Sequence, residues 1–240
     1  MDKKSIYKNY LSTQLKKAHG NIEGGFDLYY HYYKKNYQRH LPKDKSSRIL
    51  DIGCGTGHFL HFLEKENYNN YLGIDVSNEN VEFCKSKGFN VELYDIFDFL
   101  KNNKSCYDVI IMNDVIEHFT KEEIILLLNS INNILVDKGK LIIKVVNSSN
   151  PILASSSRYM DFTHETGFTE ESLTQVLLVC NFKSVKILPQ DIYVLYRNPL
   201  NYPAKFFSYL LNTIFLLLFR LYGRKSTRIF TKDIIAVALR

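Results

Sequence analysis

Tryptophan is absent from the 240 residues, and the four cysteines, Cys54, Cys84, Cys106 and Cys180, stand far apart with no C-x-x-C pair. That spacing offers no disulfide framework or paired-thiolate signature and fits reduced thiols in a cytosolic protein. Arginine-rich tracts and aromatic RNA-binding motifs are missing too. A net charge of +6 is too modest to argue for nucleic acid, though it suits a phosphate-bearing molecule or an anionic membrane surface. The first ten residues are polar and basic without an apolar core, so no secretory signal is visible. There is no internal repeat, and the single low-complexity tract is Ser155-Ser156-Ser157, read as loop. What is abundant is hydrophobic residues, 45% of the chain, with 17 Tyr and 16 Phe among them. One domain spanning 1–240 can bury a full core on that supply.

The most informative stretch is Arg48 to Phe59, R-I-L-D-I-G-C-G-T-G-H-F. A short apolar run carrying Asp51 is followed by Gly53, Gly55 and Gly57 at alternate positions, then by the start of an apolar helical pattern. This reads as strand, glycine turn and helix. Glycine permits positive φ and close approach of a ligand to the main chain, and the helix N-terminus beyond it offers free N–H groups. The spacing is not the dinucleotide G-x-G-x-x-G, and no Gly-Lys-Ser/Thr of a phosphate loop follows.

L-D-I-G-C-G-T-G resembles motif I of the class I S-adenosylmethionine (SAM) methyltransferases. The resemblance implies that Asp51, Gly53, Cys54, Gly55 and Gly57 cradle the methionine part of SAM, with Asp51 meeting its ammonium. G-I-D-V-S, ending the second strand, resembles motif II and implies Asp75 as the ribose ligand with Val76 beside it. The interval of about 20 residues also places a carboxylate on a ribose in nucleotide-binding βαβ folds. Ser77 reads as the N-cap of the following helix. Asp95-Ile96, after the third strand, resembles motif III: the acid would accept from the adenine amino group and Ile96 would pack on the ring.

Asn113-Asp114-Val115-Ile116-Glu117-His118 follows the fourth strand, at the sheet edge where open α/β folds bind ligands. Asn113 is counted with the SAM ligands, and the stretch resembles the family's E-V-x-E-H, with Asp114 in place of Glu. Three readings stand for it. His118 acts as base or positioning group; Asp114, Glu117 and His118, joined by His164, hold a divalent metal; or Glu117 and His118 only shape the pocket floor. The metal reading is not favoured.

Past the fifth strand, D-F-T-H-E-x-x-F-T-x-x-S-L resembles a motif of methyltransferases from bacterial surface-polysaccharide loci. It suggests His164 as general base or substrate ligand, Asp161 as its orienter, and Arg158 as a holder of an acceptor phosphate or carboxylate. Thr169 reads as the N-cap of a helix over Glu170–Leu178. Before the first strand, Phe26, Tyr29, Tyr30, Tyr33 and Tyr37 recur at helical spacing, predicting a helix over about Phe26–His40. Its tyrosine face either packs on the sheet edge or covers the cofactor, with His19-Gly20 and Gly24-Gly25 as hinges.

Residues 189–228 interrupt the final hairpin with the apolar run Phe206–Phe219, broken by Asn212 and Thr213 and flanked by Lys205, Arg220, Arg224 and Lys225. The run is shorter than the roughly 18 apolar residues of a span, so it should pack on its own domain, on a second subunit, or in a membrane interface.

The expected fold is therefore α/β: a Rossmann-like seven-stranded sheet of order 3-2-1-4-5-7-6, with a cover (1–47), core (48–188), helical insertion (189–228) and last strand (229–240). The expected activity is O-methyl transfer from SAM, leaving S-adenosylhomocysteine, since no N-P-P-Y amino-methylation motif occurs. The expected acceptor is a sugar or phosphate/phosphoramidate oxygen in capsule or other surface-polysaccharide biosynthesis. A quinone or lipid hydroxyl at the membrane surface is the alternative, and a SAM-binding accessory subunit is the non-enzymatic one. A cytosolic location, or one at the inner face of the membrane, goes with these readings.

Overall fold

The computed structural model describes residues 22–193 and 198–240. The His19-Gly20 hinge lies outside the described residues. Helix α1 (Ile22–Asn36) and a 3-10 turn (Gln38–His40) lead into β1 (Ile49–Ile52), α2 (His58–Lys65), β2 (Tyr71–Asp75), α3 (Asn78–Ser86), β3 (Val91–Leu93) and α4 (Ile96–Asn102). Next come β4 (Tyr107–Asn113), a 3-10 turn (Ile116–His118), α5 (Lys121–Ile134) and β5 (Leu135–Val146). The chain ends with α6 (Ala154–Tyr159), α7 (Glu170–Val179), β6 (Lys183–Pro189), α8 (Asn201–Leu221) and β7 (Asp233–Leu239).

The seven strands form one sheet in the expected order, β3-β2-β1-β4-β5-β7-β6. The first five run parallel, as alternating strands and helices require, and β7 inserts antiparallel between β5 and β6. Alternation along each strand sorts side chains to two covered faces. Leu50, Ile52, Ile110 and Met112 face one core with Leu127, Ile131 and Leu173 of α5 and α7. Ile49, Val109, Ile111 and Ile142 face the other with Phe59, Phe62, Tyr33 and Tyr37 of α2 and the N-terminal segment. Asp51 shares the parity of Ile49, which sets its carboxylate under the N-terminal helix.

Four expectations are corrected. Gly24-Gly25 is not a hinge but lies within α1, where a Cβ at Gly25 would come 3.0 Å from His58 Nε2; the glycine lets α1 sit close on α2. The fifth strand, which the apolar run predicts over Lys140–Val146, starts at Leu135, because the turn at Asp137–Gly139 is absorbed into the strand with Lys138 at φ +58. The last strand starts at Asp233, later than Ile229, although Ile229 and Phe230 are buried ahead of it. The apolar insertion is one unbroken 21-residue helix of which no residue is fully buried. Asn212 and Thr213 do not break it: Thr213 bonds back to the Tyr209 carbonyl, a local bond a helix accommodates.

Candidate active site

A cavity of about 760 Å³ opens at the carboxyl ends of β1, β2, β4 and β5. Of the glycine turn, Gly53, Cys54, Gly55 and Thr56 line it. Gly53 has φ +70, and a Cβ there would fall 2.4 Å from Val115 Cγ2. Gly55 has φ +55, and a Cβ there would stand in open space. The turn thus leaves a main-chain cradle that any larger residue would fill. Gly57 is different. It lies outside the lining, caps α2 at φ +78, and a Cβ there would meet Phe89 at 2.7 Å and Cys84 Sγ at 3.0 Å, so its role is packing.

Asp51 is buried, and its Oδ2 has no hydrogen-bond partner. Burial, with the nearby charge of Asp75, pushes its carboxyl well above the ordinary carboxylate range. A buried carboxyl with one oxygen unpartnered at the cradle can receive a cationic ligand such as the ammonium of SAM. Asp75, at the end of β2, is already engaged: Oδ2 accepts from Gly55 N–H at 2.8 Å, and Oδ1 accepts from Ser77 N–H at 2.8 Å and Asn80 Nδ2 at 3.2 Å. It therefore fixes the glycine turn from below as well as facing the cavity. Ser77 caps α3 as its sequence position predicts. Val76, Asp95 and Ile96 line the next part of the wall, and Asp95 also caps α4 through Oδ1.

The opposite wall combines the N-terminal cover with β4 and β5. Leu28, Tyr29, Tyr32 and Tyr33 line the cavity, so the tyrosine face both packs on α2 and covers the site. Fully buried Tyr37 donates from its hydroxyl to Asn113 Oδ1 at 2.5 Å. Asp114, at φ +55, ion-pairs with Lys144 of β5. Burial works against the Lys144 charge, but Asp114 and Asp233 outweigh it and raise the ammonium well above its ordinary value. The sequence reading places Tyr37 in the helical tyrosine face without its link to Asn113, and it does not include Lys144. The signal for Lys144 is a charge within the otherwise apolar run Leu141–Val146; Tyr37 belongs to the helical tyrosine series.

The two histidines meet. His118 and His164 both line the cavity, with ring centroids 4.8 Å apart and edge to face. The loop carrying His164 is zipped to the other strand end: Glu165 and Thr166 N–H donate to the Glu117 carbonyl, and the Thr166 hydroxyl donates to the Phe119 carbonyl. Asp161 was expected to orient His164. Its Oδ1 instead accepts from the backbone N–H of Thr163 at 2.8 Å and from its hydroxyl at 2.6 Å, and that hydroxyl meets His118 Nδ1 at 2.8 Å. A carboxylate is acceptor-only, so Thr163 donates to Asp161 and accepts from His118 Nδ1–H. That places the lone pair of neutral His118 on Nε2. His164 Nδ1 lies 3.0 Å from the Ser157 carbonyl, which can only accept, so the lone pair of neutral His164 is also on Nε2. Burial first, then His164, drives the His118 pKa down to about 4, so the ring is neutral at working pH.

One further expectation fails on geometry. Arg158 does not line the cavity; its guanidinium donates to the carbonyls of His164 and Glu165 and braces the loop. Among the described residues no group of three or more His, Cys, Asp or Glu is arranged for an ion. Asp114 turns to Lys144, and the histidines are turned to Thr163 and Ser157. Glu117 is buried with both carboxylate oxygens unpartnered, and burial with Asp114 raises it well above its ordinary value.

A glycine cradle over a buried acid, a second acid at the next strand end and a 3-2-1-4-5-7-6 sheet define the class I SAM-dependent methyltransferases. Residues 27–187 match the family described as a methyltransferase domain, and the chain belongs to that family, with SAM as its methyl donor. No curated relative matches it by sequence. Among solved structures it is similar to a SAM-dependent methyltransferase from Archaeoglobus fulgidus, at 21% identity and TM-score 0.67, covering 95% of this chain and 100% of that one. It is also similar to magnesium protoporphyrin IX methyltransferase from Synechocystis, at 17% identity, TM-score 0.55 and coverage of 100% and 98%. A third is Haemonchus contortus phosphoethanolamine N-methyltransferase 2 in complex with SAM, at 14% identity and TM-score 0.61, covering 98% of this chain and 60% of that one. At these identities the likeness is one of fold.

Proposed function

We propose that the protein is a SAM-dependent O-methyltransferase whose acceptor is a hydroxyl of a sugar in surface-polysaccharide biosynthesis. The observation that carries oxygen transfer is the pair of cavity-lining histidines, each held through Nδ1 with Nε2 left for the acceptor, and the polysaccharide acceptor rests on the motif around Asp161–His164. A hydroxyl is a poor nucleophile until a base removes its proton, and a neutral imidazole at hydrogen-bond reach is such a base. When bound, SAM supplies an electrophilic methyl. His164 Nε2 takes the hydroxyl proton as the oxygen gains that methyl, while His118, held neutral by its surroundings, positions the hydroxyl. Asp161 and Thr163 fix the His118 ring. The tyrosine cover excludes water, and alignment of acceptor against donor supplies most of the rate. The phosphate or phosphoramidate acceptor is less well supported, because Arg158 braces the loop rather than lining the cavity.

A lipid or quinone hydroxyl is a second reading, favoured by the exposure of α8. Methyl transfer from labelled SAM to extracted nucleotide-sugar, glycan and lipid fractions, with and without chelator, separates the two readings. His164→Ala should lower kcat by about a hundredfold or more with little change in SAM affinity. Full turnover in both His164→Ala and His118→Ala would end the proposal of base catalysis, and labelling of an amine would end that of oxygen transfer.

A further inference from the structure

The longest helix among the described residues contributes nothing to either core. None of the 21 residues of α8 is fully buried, and the helix has a mean hydropathy of 1.4 over an 18-residue window. Phe206, Leu210, Leu217 and Leu221 are between 46% and 82% exposed. A helix that apolar, left in water, exposes a patch of the kind that marks an interaction surface. The charge around it is as lopsided. From Ile192 to Lys232 there are seven basic residues and no acidic one. That segment alone accounts for the positive balance of the chain, since the remaining residues carry 24 basic and 25 acidic side chains.

Length and composition would let α8 cross a bilayer, being about 31 Å long against a hydrocarbon core of about 30 Å. The flanks forbid it. After Leu221 the chain is back on the domain by Thr227, whose hydroxyl donates to Glu171 Oε1 at 2.7 Å, and by Arg228, whose N–H donates to Glu170 Oε2 at 3.2 Å. Ile229 and Phe230 are then buried. Six residue steps reach at most about 20 Å, too short for a return across the membrane. At the other end Lys205 is held to Asp191 at 2.7 Å, and midway Phe215 and Phe219 pack against Phe230. The helix is strapped along the domain rather than projecting from it.

We propose that α8 is an interfacial anchor, lying in the plane of an anionic bilayer with its apolar side in the acyl boundary and its basic residues at the headgroups. Apolar exposure supplies the insertion, and the all-basic segment supplies complementarity to anionic lipid. Tyr202 and Tyr222, 60% and 86% exposed at the two ends, are residues that favour the headgroup level. Both chain crossings into the insertion belong to the active cavity, since Ile192 before it and Lys232 after it line the wall. Seating α8 therefore brings the cavity to the membrane surface, whichever acceptor it takes.

The test is flotation of the full chain with phosphatidylcholine vesicles, with and without phosphatidylglycerol. Binding to the phosphatidylglycerol vesicles is expected, with loss of about fivefold for each basic residue removed in Arg220→Gln, Arg224→Gln and Lys225→Gln, and near-complete loss in Phe206→Gln/Leu210→Gln/Leu217→Gln. Unchanged thermal unfolding by circular dichroism shows that each variant is folded. No flotation, or equal flotation of the triple apolar variant, overturns the proposal. So does a dimer in sedimentation that the apolar substitutions dissociate, which would assign the face to a second copy. Single cysteines from Tyr202→Cys and Tyr222→Cys, in a Cys106→Ser background, should both react with an impermeant maleimide outside the vesicles. Reaction of one alone would mean a span and would also overturn it.

Discussion

The His118 ring offers a measurement that needs no acceptor. Its pKa falls from the ordinary 6.5 to about 4 through burial and the facing His164. A group depressed on folding takes its proton more readily in the unfolded chain. Its contribution is therefore intact above pH 6.5 and is lost as pH falls toward 4. Between about pH 7.5 and pH 4.5 that one ring should cost the native state about 2 to 3 kcal/mol. In His118→Gln the side chain does not titrate, so the variant should lose less stability over the same interval by that amount. Carboxylates elsewhere titrate in both proteins and cancel in the difference. Because the chain has no tryptophan, urea unfolding would be followed by far-ultraviolet circular dichroism. Parallel losses in the two proteins would refute the reasoning, since they would mean that the ring is hydrated and free to ionise in the native state.

Other outcomes follow from the same geometry. Burial and Asp75 raise the Asp51 carboxyl, and a cation seated on it should lower it again, so SAM affinity should weaken as pH falls; an affinity that does not change with pH would contradict this. Gly53→Ala adds a 2.4 Å contact with Val115 to the strain of φ +70 and should cost about 3 kcal/mol, whereas Gly55→Ala carries the φ strain alone and should cost about 1 to 2. Equal thermal shifts in the two variants would remove the contact from the account. Thr163→Val breaks the Asp161–Thr163–His118 chain and should lower stability by about 1 to 2 kcal/mol and kcat by about tenfold, while Thr163→Ser restores kcat. Failure of the serine variant to restore kcat would leave Thr163 with a packing role only.

The parts of this molecule written in short stretches of chain were legible before folding was considered. The strand, glycine turn and helix at Ile49–Lys65, the acid closing β2 and the capping residues Ser77 and Thr169 depend on neighbours a few residues away. What was missed depends on residues brought together from far apart. Asp161 was paired with His164 because they are three residues apart, yet the Thr163 it holds meets His118, 45 positions away. Arg158 looked like an anion ligand because nothing local revealed that carbonyls of its own loop would occupy it. Lys144 reads as an anomaly in an apolar strand until Asp114 is set across from it. Gly57 shares the motif but lies outside the cavity lining, because as the N-cap of α2 it packs against Phe89 and Cys84, residues more than 25 positions away.

The hairpin that carries α8 has a consequence for how such a molecule changes over time. β6 and β7 are registered against each other and against β5 by their own ladder bonds, so the sheet specifies where the hairpin begins and ends but not what fills its tip. The helix at the tip adds no residue to the cavity lining, which the flanking Ile192 and Lys232 reach. With α8 as the proposed anchor, catalysis and membrane seating lie on separate elements of the chain, and one could be altered without the other.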